Sequence, residues 1–92
     1  MNITEVRVRL VKSDESKLKA VASITIDECF VVHDIKVIDS ADGLFIAMPS
    51  KKMASGEFKD VVHPLNTETR ESLRKIVLAE YEKAKLQASG TE

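Results

Sequence analysis

Cys29 is the only thiol in the chain, and His33 and His63 are its two imidazoles. A cysteine nucleophile needs a base within hydrogen-bond reach. Cys29 and His33 are four residues apart in a stretch that reads as one strand. At ~3.3 Å rise per residue, that places them about 13 Å apart. The distance excludes a dyad along the strand and leaves Cys29 as a small buried hydrophobe. Asp34 follows His33, but adjacent strand residues point to opposite faces, so the carboxylate cannot orient that ring. His33 reads as a hydrogen-bonded histidine within the sheet. His63 precedes Pro64 and reads as a turn residue. Neither has HExxH spacing or a third ligand, so no metal site is expected. A single cysteine also excludes an internal disulfide.

Phosphate-cradling loops fail on the same test. The three glycines, Gly43, Gly56 and Gly90, are scattered and assemble neither a Walker A loop nor a dinucleotide fingerprint. There is no GxSxG elbow. The neighbouring acids Asp27 and Glu28 fall in a turn and read as solvated charge. No catalytic residue and no cofactor are expected, and the chain reads as a binding protein rather than an enzyme.

Charge carries more information. Lys and Arg total 14 against 15 Asp and Glu, a net of −1, so nothing pulls the whole molecule toward a polyanion. The distribution is uneven. Residues 1–48 hold six basic and eight acidic residues, a net of −2. Residues 49–75 hold Lys51, Lys52, Lys59, Arg70, Arg74 and Lys75 against Glu57, Asp60, Glu68 and Glu71, a net of +2. Arg70 and Arg74 would lie one helical turn apart. Together with Lys51 and Lys52, and with free N–H groups at a helix start near Asn66 and Thr67, they would offer phosphate a foothold. Phe30, Phe45 and Phe58 read as core and Tyr81 as packed under the helix. Base stacking is therefore not expected, and contacts would go to phosphates.

The elements that must position these groups follow from periodicity. Thr4–Lys12 alternates, with Val6, Val8 and Leu10 on one side and Glu5, Arg7 and Arg9 on the other. Ser13–Ser16 is a polar turn, after which Leu18, Ala20, Ala22, Ile24 and Ile26 resume the alternation, so a β-hairpin is expected. Asp27–Glu28 turns the chain into the run Phe30–Ile38. Strict alternation there puts Val31, His33, Ile35 and Val37 on one face and Phe30, Val32 and Ile38 on the other, a strand that calls for cover on both sides. Asp39–Gly43 is a turn, Leu44–Met48 a strand ended by Pro49, Ser50–Gly56 an exposed loop and Glu57–Val62 a last strand. Asn66 or Thr67 then caps a helix, with Glu68 in its first turn. Leu73, Val77, Tyr81 and Ala84 form its apolar stripe, and Glu71 and Lys75 make an i,i+4 pair.

The expected fold is α+β: an antiparallel sheet of about five strands followed by one C-terminal amphipathic helix. A single domain over residues 1–87 carries a short tail, 88–92. A chain of 92 residues buries only roughly 60–65% of its unfolded surface. One helix covers one face of a sheet, so a homodimer is expected to cover the rest. No basic stretch followed by an apolar run opens the chain, and no apolar run reaches the ~20 residues of a membrane helix. The cytoplasm is the expected location.

The strings TEVRVRLV (Thr4–Val11), ASITID (Ala22–Asp27), FVVHDIKVI (Phe30–Ile38), GLFIAMPSKK (Gly43–Lys52) and GEFKDVVHPLN (Gly56–Asn66) resemble the bacterial SpoVG family of septation and sporulation regulators. The resemblance runs from about Met1 through the helix. It implies a small cytoplasmic dimer that acts in septation and sporulation and binds DNA and RNA. In that family DNA contact is associated with the C-terminal helix region, here Asn66 to Lys75, with Arg70 and Arg74 foremost. The sequence departs from the family at Met53-Ala54-Ser55, where a Thr-Pro-Asp string is usual, and at Lys52, where arginine is common. An arginine there would offer a bidentate fork that lysine lacks.

The sequence thus predicts a nucleic-acid-binding dimer that uses Lys51, Lys52, Lys59, Asn66, Thr67, Arg70, Arg74 and Lys75, without metal or small-molecule substrate. The alternative is a protein-interaction module of cell division whose basic residues serve solubility. A small hydrolase ranks last.

Overall fold

A computed structural model describes residues 2–11 and 17–90, with side chains described as far as residue 87. The turn expected at Ser13–Ser16 and the end of the tail lie outside the described residues. Four strands, β1 (Ile3–Leu10), β2 (Leu18–Ile26), β3 (Phe30–Ser40) and β4 (Gly43–Ala47), form an antiparallel meander in that order. Two short strands, β5 (Ser50–Lys52) and β6 (Phe58–Asp60), pair as a separate ribbon. One helix, α1 (Thr67–Gly90), follows. This is the α+β arrangement that the alternation and the helical stripe predict.

The β2–β3 turn is fixed by backbone chemistry. Asp27 and Glu28 have φ of 51° and 59°, and the Cys29 N–H donates to the Ile26 carbonyl at 3.0 Å. Two central residues with positive φ define a type I′ turn, whose twist matches that of the flanking strands. Asp27 N–H also donates to the Asn2 carbonyl at 2.7 Å, and Glu28 N–H to Thr4 Oγ1 at 3.1 Å, tying the turn to β1. Cys29 belongs to this turn and is exposed. It is neither on the strand nor in the core, which corrects the expectation of a buried hydrophobe.

β3 does not alternate strictly. The β2–β3 register slips between the pairs Ala22–Ile35 and Ile24–Val32, so Ser23 alone stands against both His33 and Asp34. This is a β-bulge, and Asp34 has φ 64°, a left-handed value that aspartate tolerates better than most residues. The extra residue brings Val32 onto the same face as Ile35 and Val37, and all three are buried. Strict alternation had set Val32 on the opposite face from the other two. His33 is exposed at the bulge rather than bonded within the sheet.

The core lies between this face of the sheet and α1. Leu73, Val77 and Tyr81, one helical turn apart, are buried against Ala20, Ala22, Ile24 and their β3 neighbours. α1 packs mainly on β1 and β4. Fully burying an aliphatic side chain of this size contributes about 1.5–3 kcal/mol. Asn66 starts the helix: its Oδ1 accepts the Thr69 N–H at 2.8 Å and its carbonyl accepts the Arg70 N–H at 3.1 Å. Glu71 pairs with Arg74 at 3.6 Å rather than with Lys75.

Three phenylalanines expected in the core are exposed. Phe30 lies at the start of β3, Phe45 on edge strand β4 and Phe58 on the ribbon. Tyr81 is buried as expected, with Lys85 Nζ 5.4 Å from its ring centre.

Candidate nucleic-acid interface

The segment Ser50–Lys52, expected as loop, is β5. Its register with β6 sets Ser50 against Asp60, Lys51 against Lys59 and Lys52 against Phe58. Directly opposed residues of an antiparallel pair share a face. Lys51 and Lys59 therefore lie on one face of the ribbon, while Lys52, Phe58 and Asp60 share the other. Like charges in direct opposition are unfavourable. Among the described residues the ion pairs are Arg7–Glu5, Arg74–Glu71 and Lys83–Glu80, none of which involves these lysines. No ion pair engages either ammonium, although alternation sets Glu57 on the same face of the ribbon. Every residue from Ser50 to His63 is exposed, and the ribbon packs extensively on neither the sheet nor the helix.

The ribbon's root is anchored. Met48 is buried in the core, and the Val61 N–H donates to the Pro49 carbonyl at 2.9 Å. His63 Nδ1 lies 3.0 Å from the Pro64 carbonyl oxygen, in an irregular stretch rather than the expected turn. Met48 and Pro64 also line a cavity of about 210 Å³ together with Phe45, Ile46, Arg70, Glu71 and Arg74. Lys51 follows Met48 by three residues, so its Cα is within about 10 Å of that cavity wall. The ribbon thus leaves the sheet beside the cavity that Arg70 and Arg74 line.

The remaining candidates divide. Thr67 and Lys75 are exposed. Asn66 is exposed too, but its Oδ1 is already committed to the helix start. Glu68 stands exposed in the first helical turn and competes with any anion there. Arg74 shares Glu71 at 3.6 Å, an exposed i,i+3 pair worth about 0.2–0.5 kcal/mol. A contact that weak leaves the guanidinium available to phosphate. No residue pattern signals that Phe45 borders this cavity. Its place on a short edge strand, in register with Ile38, exposes it.

Among the described residues no group of three or more His, Cys, Asp or Glu side chains could hold a metal ion. No described helix is long and apolar enough to cross a membrane.

The SpoVG family model matches residues 1–83. A Clostridium perfringens protein is 61% identical over 85 residues, 92% of this chain and 93% of its own. A Lachnospira eligens protein is 63% identical over 84 residues, 91% and 94% of the two chains. A Caldanaerobacter subterraneus subsp. tengcongensis protein is 59% identical over 92 residues, the whole of both. Each of the three is named "Putative septation protein SpoVG".

Proposed function

The chain belongs to the SpoVG family, and from that premise we propose that it is a cytoplasmic, homodimeric, non-enzymatic regulator of septation and sporulation that binds DNA and RNA. The observation that carries the binding part is the Lys51–Lys59 pair. A fold that sets two lysines directly opposite one another, with neither in an ion pair among the described residues, leaves an excess of positive charge that a phosphate backbone relieves. Arg70 and Arg74, at the ribbon's root, extend the positive surface toward the helix. Lys52, on the other face of the ribbon, and the exposed Thr67 and Lys75 on the helix are further candidates for phosphate contact.

The dimer rests on the apolar residues of the same region. Phe58 is 70% exposed and Leu65 90% exposed, with Val61 beside them. An isolated two-stranded ribbon is marginally stable in water. A second copy covering these side chains would stabilise it and present the cationic surface twice. These residues equally favour the second reading, a module that engages another protein of cell division.

Binding to duplex DNA and to RNA at fixed salt separates the two readings. The nucleic-acid reading expects Arg70→Ala with Arg74→Ala to weaken both by at least about tenfold, on the scale of lost phosphate contacts. Wild-type protein that binds neither polymer at low salt would leave only the protein-interaction reading.

A further inference from the structure

We propose that the cavity between β4 and the first half of α1 accepts one unpaired nucleobase, so that the preferred ligand is a single-stranded or looped strand rather than continuous duplex. The inference rests on the nucleic-acid reading and names the form of strand that the site takes. The cavity measures about 210 Å³ and joins two kinds of surface. Ile46, Met48 and Pro64 supply apolar walls that suit the face of a planar ring, and Phe45, which alternation sets on the other face of β4 from Ile46, borders the cavity at the strand edge. Phe45 is 42% exposed, an aromatic group that the core does not use.

Arg70 and Arg74 line the same cavity. They are one turn apart on α1, about 6 Å along its axis. From there they can hold phosphates on either side of an inserted base, and a guanidinium can also stack on the ring. This charge complementarity selects a nucleotide strand over an uncharged apolar peptide as the occupant. Glu71 adds selectivity. One of its oxygens faces Arg74, and the carboxylate accepts hydrogen bonds only. It suits the exocyclic amine of adenine, cytosine or guanine, which offers two N–H donors where thymine and uracil offer the single ring N3–H. In a duplex the bases are stacked and paired, and entry would require one to be extruded at a cost in unstacking.

The test is fluorescence anisotropy with a short single-stranded oligodeoxyadenylate, an oligothymidylate of equal length and a duplex, all at one salt concentration. A 2-aminopurine placed within the adenylate strand reports its own environment. The proposal expects the adenylate to bind at least about tenfold tighter than the thymidylate or the duplex, with a change in 2-aminopurine emission. Phe45→Ala removes that preference and the emission change, bringing the adenylate down to the affinity of the thymidylate. Phe45→Leu, which keeps apolar bulk at the same position, also loses the preference. Equal or tighter binding of duplex, or unaltered 2-aminopurine emission, overturns the base pocket while leaving nucleic-acid binding intact. Binding of none of the three overturns both. A Phe45→Ala protein that loses self-association and keeps its strand preference would assign the cavity to a second copy and overturn the proposal.

Discussion

Lys51 and Lys59 occupy directly opposed positions on β5 and β6, two ammonium groups on one face of an exposed ribbon. Such a pair opposes the pairing of its own strands. This gives a mutation with two effects of opposite sign. Lys59→Glu converts the repulsion into attraction, so ribbon amides should exchange more slowly with solvent. The same change should weaken nucleic-acid binding. Hydrogen exchange of the ribbon and anisotropy of a bound duplex measure the two. If amide protection rises and affinity does not fall, the lysine pair has no part in binding.

The helix start allows a stability prediction that separates folding from binding. Asn66→Ala deletes the acceptor of the Thr69 N–H and should cost about 1 kcal/mol in urea unfolding. Asn66→Asp keeps an acceptor and should restore most of that loss. If Asn66→Asp restores stability but not nucleic-acid affinity, the amide N–H₂ contributes to the interface as well as to the cap.

The bulge in β3 makes its own prediction. Asp34 sits at φ 64°, which a β-branched residue adopts only at a cost of about 1–2 kcal/mol. Asp34→Val should destabilise the protein by that amount, although valine is a better strand residue in general. Asp34→Gly should be tolerated or mildly stabilising. A stabilised valine variant would mean that strand pairing without the bulge is the preferred register.

The apolar residues of the ribbon make a prediction about assembly. Phe58 is 70% exposed, so Phe58→Glu removes little from the core of one chain. The homodimer reading expects the substitution to shift sedimentation toward monomer and leave far-ultraviolet circular dichroism unchanged. A wild-type chain that is monomeric at micromolar concentration would contradict the dimer. In contrast, Ile35→Ala, at a fully buried position, should cost about 2–5 kcal/mol whatever the oligomeric state.

Much of this fold is legible residue by residue. Alternation in Thr4–Lys12 and from Leu18 to Ile26 identifies β1 and β2, Pro49 marks the end of the fourth strand's run, and Asn66 announces the helix. What escapes has physical reasons. Asp34 carries no mark that it will take positive φ, so the bulge that moves Val32 to the core face leaves no trace in hydrophobic periodicity. Ser50–Lys52 is too short and too polar to read as a strand, and its pairing depends on contact with Phe58–Asp60 across an intervening turn. Phe30, Phe45 and Phe58 read as core because aromatic residues usually are. Their exposure follows from positions at a strand start, a sheet edge and a ribbon that covers nothing. The basic residues of the site were legible as a local excess of charge. The face-to-face setting of two of them was not, because it is a matter of register.

The most direct test of the binding surface is the dependence of duplex affinity on salt. Each phosphate contact contributes about 0.9 to the slope of log affinity against log salt. Removing Lys51 and Lys59 together should flatten the slope by about 1.8 per chain, and removing Arg70 and Arg74 should do the same. The four-residue variant should lose the sum. A slope unchanged by either pair would show that ribbon and helix do not share a polyanion.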